Sequence, residues 1–302
     1  MLKRPVMIIL VIYMATAMII SPHTCINAGE NALKLCGDTV IPTLFPFIFC
    51  GNMLIALGVA RIMSRFLSKF MKPLFGVSGS GALAMVLGFV SGYPVGAVCA
   101  ASLYKSGECT KCEAERLLTF CNNSGPMFVI GAIGAKMAND VRIGVLLYVT
   151  HLLSALLCGM IFKNYGREEH KRCLPPARDK DNIKTALPDI GEAVSRSVDT
   201  ILLICGFIVI FAVFTAILPD TPVKKYIYSF LEITGGIKEL FVNFNIQMLP
   251  VIAGFMAFSG VSVLAQVIAV IKPAGLSVKP YILGKTTQAV IAYLLMFLAS
   301  FI

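Results

Sequence analysis

Long apolar runs alternate with short polar stretches through the whole chain. Residues 40–59, 143–162, 199–218 and 281–302 are each apolar enough to cross a bilayer as a helix of about 20 residues. Residues 1–20 carry Lys3 and Arg4 before an apolar run and read as an uncleaved first helix. The alternative is a secretory leader, for which Ala15-Thr16-Ala17 is a poor cleavage site. Residues 22–38 are too charged to span and are expected at the interface. Arg61, Arg65, Lys69 and Lys72 interleave with Ile62, Phe66, Leu67 and Phe70 on an amphipathic linker.

Two apolar runs are interrupted near their midpoints. Residues 117–137 are broken by Asn122-Asn123-Ser124-Gly125-Pro126, and residues 246–271 by Phe258-Ser259-Gly260. Pro lacks a backbone donor and clashes one turn back, and Gly weakens a helix interior. A membrane helix should therefore break at both places. Non-helical backbone at that depth survives only when buried in protein or lining a wet cavity. Pro126 is expected to open a second half-helix, with Ser124 or Gly125 as its N-cap. That leaves free N–H groups and the positive end of a helix dipole inside the membrane, where secondary transporters hold their substrates.

Two shorter segments, 79–104 and 224–243, turn at Ser91-Gly92-Tyr93-Pro94 and at Glu232-Ile233-Thr234-Gly235-Gly236. Residues 79–104 fit one kinked span or a re-entrant hairpin. The charge distribution selects the hairpin, because the Lys- and Arg-rich connection 163–196 then lies in the cytoplasm with the N-terminus. Nineteen of the 26 Lys and Arg, Lys285 among them, then fall inside and six outside, with Arg116 uncounted.

The order span, hairpin, broken span, span therefore occurs twice, with opposite entry sides. The fold class expected is an all-α polytopic membrane protein of two inverted repeats, with re-entrant hairpins and broken transmembrane helices. Its units are an N-terminal helix and interfacial segment at 1–39, a first repeat at 40–162, a cytoplasmic linker at 163–197 and a second repeat at 198–302.

Composition agrees. Of 302 residues, 57% are hydrophobic and only 14% charged, where a soluble domain carries about 25% charge. The net charge of +10 follows from basic loops, and no basic patch interleaved with exposed aromatics suggests nucleic acid. Most of the ten Cys lie in apolar runs, so a disulfide framework is not expected. Cys109 and Cys112 form a lone CxxC with no second pair to complete a metal site. His23, His151 and His170 are scattered, and His151 reads as a packed membrane residue. Gly76–Gly81 lacks the Lys-Ser/Thr of a phosphate loop and reads as a hairpin entrance. No Ser/His/Asp or Cys/His set and no paired carboxylates occur at membrane depth, so no enzyme is expected.

A family resemblance rests on three stretches: GFVSGYPVGA at 88–97, EAERLLTFCNNSGPMFVIGAIG at 113–134 and VIPTLFPF at 40–47. They resemble the sporulation integral membrane protein YlbJ family, which carries the Gate, or nucleoside-recognition, domain shared with concentrative nucleoside transporters. The likeness runs from about residue 24 to the C-terminus and is strongest over 88–134. Glu232 with the following Thr-Gly-Gly resembles that family's acidic second hairpin. The resemblance implies a role in endospore formation, a forespore membrane of a spore-forming bacterium, and movement of dipicolinic acid.

The substrate-binding residues expected are Ser91, Gly92, Tyr93 and Pro94 at the first tip, Asn122, Asn123, Ser124 and Gly125 at the first break, Glu232, Thr234 and Gly235 at the second tip, and Ser259 and Gly260 at the second break. Amide side chains donate and accept, which suits carboxylates and ring nitrogens. Tyr93 can stack on an aromatic ring. A membrane-depth acid such as Glu232 is a functional candidate by default. The partners expected are the lipid bilayer and a small polar or aromatic carboxylate solute. A homo-oligomer or partner membrane subunit stays open, as does a coupling H+ or Na+ beside no other cofactor. The rival functions are a nucleoside or ion carrier sharing the domain and a non-transporting scaffold of spore assembly.

Overall fold

The computed structural model describes residues 3–166, 189–219, 221, 223–242 and 244–300, and every regular element among them is helical. Four helical stretches are long and apolar enough to cross a membrane: Val141–Asn164, Ile190–Ala216, Ile246–Ala274 and Lys279–Ala299. Two more qualify only as bent pairs. Helix α1 (Lys3–Ile20) turns by 109° into α2 (Pro22–Leu35), and α3 (Ile41–Ala56) turns by 83° into α4 (Val59–Phe75). The span expected at 40–59 thus ends early, at the left-handed Gly58, and the basic linker beyond it is the helix α4.

The spans are apolar outside and polar inside. On α8 (Val141–Ile161), Val145, Val149, Leu153 and Leu157 are exposed at four-residue intervals. The opposite stripe buries Leu147, His151, Ser154 and Cys158. An outward apolar stripe with polar groups turned inward is what a lipid solvent selects.

Residues 79–104 fold back on themselves. Helix α5 (Gly81–Val90) packs against α6 (Val95–Lys105) across the turn at Ser91-Gly92-Tyr93-Pro94. A Cβ placed on Gly88 would lie 3.0 Å from the Gly96 Cα, a contact that a continuous span could not make. The second half repeats this: α10 (Lys224–Leu231) and α11 (Ile233–Phe241) fold back around Glu232, so that a Cβ on Gly236 would meet the Ser229 Cα at 2.2 Å.

The two breaks differ in depth. The first runs from the end of α7 (Lys111–Leu118) to the π-helix Met127–Met137, and Asn122 to Gly125 have no helical structure. Pro126 already has helical dihedrals at the head of that π-helix. The second is a hinge between α12 (Leu249–Phe258) and α13 (Gly260–Ile271), where Ser259 and Gly260 both take positive φ, 73° and 79°. A proline with three polar neighbours unwinds the first break; a Ser-Gly pair without proline only bends the second.

The halves interlock. Helix α6 packs on α13, and α11 packs on the π-helix, so the second arm of each hairpin rests on the other half's broken helix. The last helix, α14 (Lys279–Ala299), packs on α12, α8 and α7. Residues 167–188 of the expected linker lie outside the described residues. Its final residues belong to α9 (Ile190–Ala216), whose first turn is capped by Asp189 accepting from the Gly191 and Glu192 N–H groups.

Candidate functional site

Helix α7 brings the chain to the first break and is anchored at its head. Thr110 and Glu113 form a reciprocal capping box, and the buried Glu115 accepts from the Ser277 N–H at 2.9 Å. The Arg116 guanidinium donates from Nε to the Tyr165 carbonyl at 2.7 Å and from Nη1 to the Gly76 carbonyl. Arg116, left unassigned by charge counting, is thus buried and structural. Phe120 stacks on Phe75 with ring centroids 4.8 Å apart.

Backbone contacts grip the unwound segment. Cβ atoms on Gly88 and Gly96 would lie 1.7 and 2.0 Å from the Cys121 carbonyl oxygen, and one on Gly284 would lie 2.4 Å from that of Thr119. Glycine is required there because no side-chain atom fits. The first hairpin tip touches the same segment, since a Cβ on Gly92 would lie 2.9 Å from the Gly125 nitrogen. The second tip meets the second break in the same way, a Cβ on Gly260 lying 3.3 Å from the Ile233 nitrogen. Each hairpin tip therefore rests on the break of its own half.

The side chains of Asn122, Asn123 and Ser124 are buried, and those of the two asparagines are hydrogen-bonded across the fold. Asn122 Oδ1 accepts from the Ala97 N–H at 3.4 Å, and Asn122 Nδ2 donates to the Tyr281 hydroxyl at 3.4 Å. Asn122 thus occupies the Ala97 N–H in the first turn of α6. Asn123 Nδ2 donates to the Phe120 carbonyl at 2.5 Å, and Asn123 Oδ1 accepts from Gln288 Nε2 at 2.8 Å. The Ser124 N–H donates to His151 Nε2 at 3.1 Å. Ser124 does not cap the following helix through its side chain; the Gly125 carbonyl receives the Phe128 and Val129 N–H groups instead. The Ser124 hydroxyl and His151 Nδ1 are buried without a hydrogen-bond partner. The Tyr93 phenol lies beside that hydroxyl, short of a well-formed bond, and within electrostatic reach of Glu232 and Tyr281.

Four members of this cluster, Tyr281, Lys285, Gln288 and His151, escape a reading of the chain by composition. Lys285 was expected among the cytoplasmic charges, yet it is 1% exposed on α14. Its Nζ donates to Gln288 Oε1 at 2.9 Å, and Gln288 also donates to the His151 carbonyl at 3.4 Å. His151, expected as a packed residue, receives the backbone of the break. The missed signal is spacing: Tyr281, Lys285 and Gln288, like His151, Ser154 and Cys158, recur at three- and four-residue steps on otherwise apolar helices.

The second half contributes less. Both Glu232 carboxylate oxygens accept backbone N–H groups, from Thr234 at 2.9 Å and Gly235 at 2.7 Å, so Glu232 caps α11. Thr234 and Gly235 are engaged by that cap, and a Cβ on Gly235 would strike the Tyr228 hydroxyl at 2.1 Å. The Ser259 hydroxyl turns back to the Ala257 carbonyl at 3.4 Å. Among the described residues, no hydrogen bond joins Ser259 or Gly260 to the Asn122–Ser124 cluster. The CxxC is not a thiol pair: Cys112 is disulfide-bonded, and Cys109 is free and buried.

The Gate family, described as nucleoside recognition, matches residues 39–166, the stretch holding the first hairpin and the first break. The sporulation integral membrane protein YlbJ of Bacillus subtilis (strain 168) is 30% identical over 92% of this chain and 78% of its own length. No solved structure matches the chain.

Proposed function

Because the chain belongs to the family of the sporulation integral membrane protein YlbJ, we propose that it is a membrane transporter for a small polar, anionic solute, with dipicolinic acid as the candidate. The observation that carries this reading is the buried, unwound segment Asn122-Asn123-Ser124, met by a hairpin tip and by polar side chains from α8 and α14. Lipid-embedded proteins rarely sustain so many polar groups around non-helical backbone unless they serve a solute pathway. The two-fold repetition of tip on break supports inverted repeats with the site where they meet. In this closed arrangement the cluster is packed shut, and a solute would gain access as a tip lifts from its break. At the first tip Gly92 approaches the Gly125 backbone directly, while Tyr93 packs against the core.

The test is uptake of labelled dipicolinate by proteoliposomes bearing the full chain, compared with Asn123→Ala. Saturable uptake lost in the variant supports both the activity and the site. A second reading, a nucleoside carrier, is favoured by the family description matching residues 39–166. Labelled nucleosides in the same assay separate it. Uptake of neither solute by folded, inserted protein would point to a scaffold of a spore-membrane assembly.

A further inference from the structure

Lys285 sits six residues into α14 and points with Tyr281 and Gln288 into the centre of the bundle. The titratable groups around it are Cys121 from the break and His151 and Cys158 from α8. None is an acid. Among the described residues the ion pairs are Arg61 with Glu108 and Arg196 with Glu192, and neither involves Lys285. Glu232 and Glu115 are engaged elsewhere, on the head of α11 and on the Ser277 N–H. An ammonium has three donors, and the one bond seen is to the neutral Gln288 Oε1.

A buried charge without a counter-charge is costly, and an apolar residue of similar size in its place is often neutral or stabilising. Packing therefore gives no reason for a lysine here. The hydrogen bonds do. Lys285 donates to Gln288, Gln288 donates to Asn123, and Asn123 donates to the Phe120 carbonyl. The chain of donors leads from the ammonium to the unwound segment.

We propose that Lys285 is the charge partner of the transported solute, binding its carboxylate, and that Gln288 is the positioning residue that holds the ammonium against Asn123 until the carboxylate arrives. This rests on the reading of the central site as a solute site and specifies its ligand: an organic carboxylate in preference to a neutral molecule of the same shape. The carboxylate would take the ammonium from Gln288 Oε1, with the asparagine amides as further donors.

The test is binding and uptake by the full chain in detergent and in proteoliposomes. The probes are pyridine-2,6-dicarboxylate, its neutral diamide and chloride, and the proteins are wild type, Lys285→Met and Lys285→Arg. Ligand-dependent thermal shift reports affinity, because a ligand that binds only the folded state raises its stability. Lys285→Met is expected to weaken dicarboxylate binding by about 10- to 100-fold, the worth of a hydrogen bond to a charged group. It should leave diamide binding unchanged, whereas a lysine with only a structural role, holding Gln288 in place, would weaken dicarboxylate and diamide binding alike. Lys285→Arg should recover part of the affinity. Wild-type affinity for the dicarboxylate in folded Lys285→Met, with uptake intact, overturns this inference and leaves the transporter reading standing. Lys285-dependent binding without uptake does the reverse. Equal stabilisation by chloride and by dicarboxylate overturns the assignment of an organic carboxylate, and no binding to wild type overturns both readings.

Discussion

Gln288 Nε2 donates to Asn123 Oδ1 at 2.8 Å, joining residues 165 positions apart in the chain. The bond ties the last helix to the unwound segment of the first broken span. Gln288→Leu removes the donor and leaves the buried Asn123 oxygen unsatisfied. The expected loss is about 1–3 kcal/mol of stability. Thermal unfolding of purified protein measures it. Asn123→Ala combined with Gln288→Leu should cost less than the sum of the single changes, since both remove the same bond. An additive double variant would mean the two side chains do not meet.

His151 receives the Ser124 N–H on Nε2. That nitrogen must carry a lone pair, so the ring is neutral with its proton on Nδ1. Nitrogen NMR of selectively labelled His should show the Nδ1-protonated tautomer at this position. His151→Phe should leave the Ser124 N–H orphaned and lower stability by about 1–3 kcal/mol. An Nε2-protonated signal would exclude the bond.

Gly96 and Gly284 face carbonyl oxygens of the break at distances no side-chain atom tolerates. Gly96→Ala and Gly284→Ala should each cost about 1–3 kcal/mol or prevent assembly, through forced backbone displacement. Gly206, exposed on α9 with open space around its Cβ position, is the control. Gly206→Ala should be neutral or stabilising by up to about 1 kcal/mol, because alanine favours a helix interior. Yield and melting temperature of the three variants, prepared in parallel, decide the matter.

Glu232 spends its carboxylate on the N–H groups of Thr234 and Gly235. Glu232→Ala should lower stability by about 1 kcal/mol, as loss of a helix cap does. The KM of any transported solute should stay as in wild type. A raised KM with unchanged melting temperature would instead make Glu232 a solute ligand and require the second hairpin to rearrange on binding.

The membrane spans, the two hairpin turns and the two breaks were legible in the residues, because each depends on local chemistry. Hydropathy marks a segment that prefers lipid, and a proline without an N–H, as at Pro126, ends a helix wherever that helix is placed. The pairing of Asn122, Asn123 and Ser124 with non-helical backbone was equally local. Tertiary structure alone decided which remote side chains reach them. Lys285 counts as one more basic residue near the end of a span until the rotation of α14 turns it inward beside Gln288. Glu232 reads as a membrane-depth acid until its own backbone turns to meet it. A helix can present any of its faces to the bundle, and only packing against α8, α12 and α7, far away in the chain, selects the face that puts Tyr281, Lys285 and Gln288 against the break.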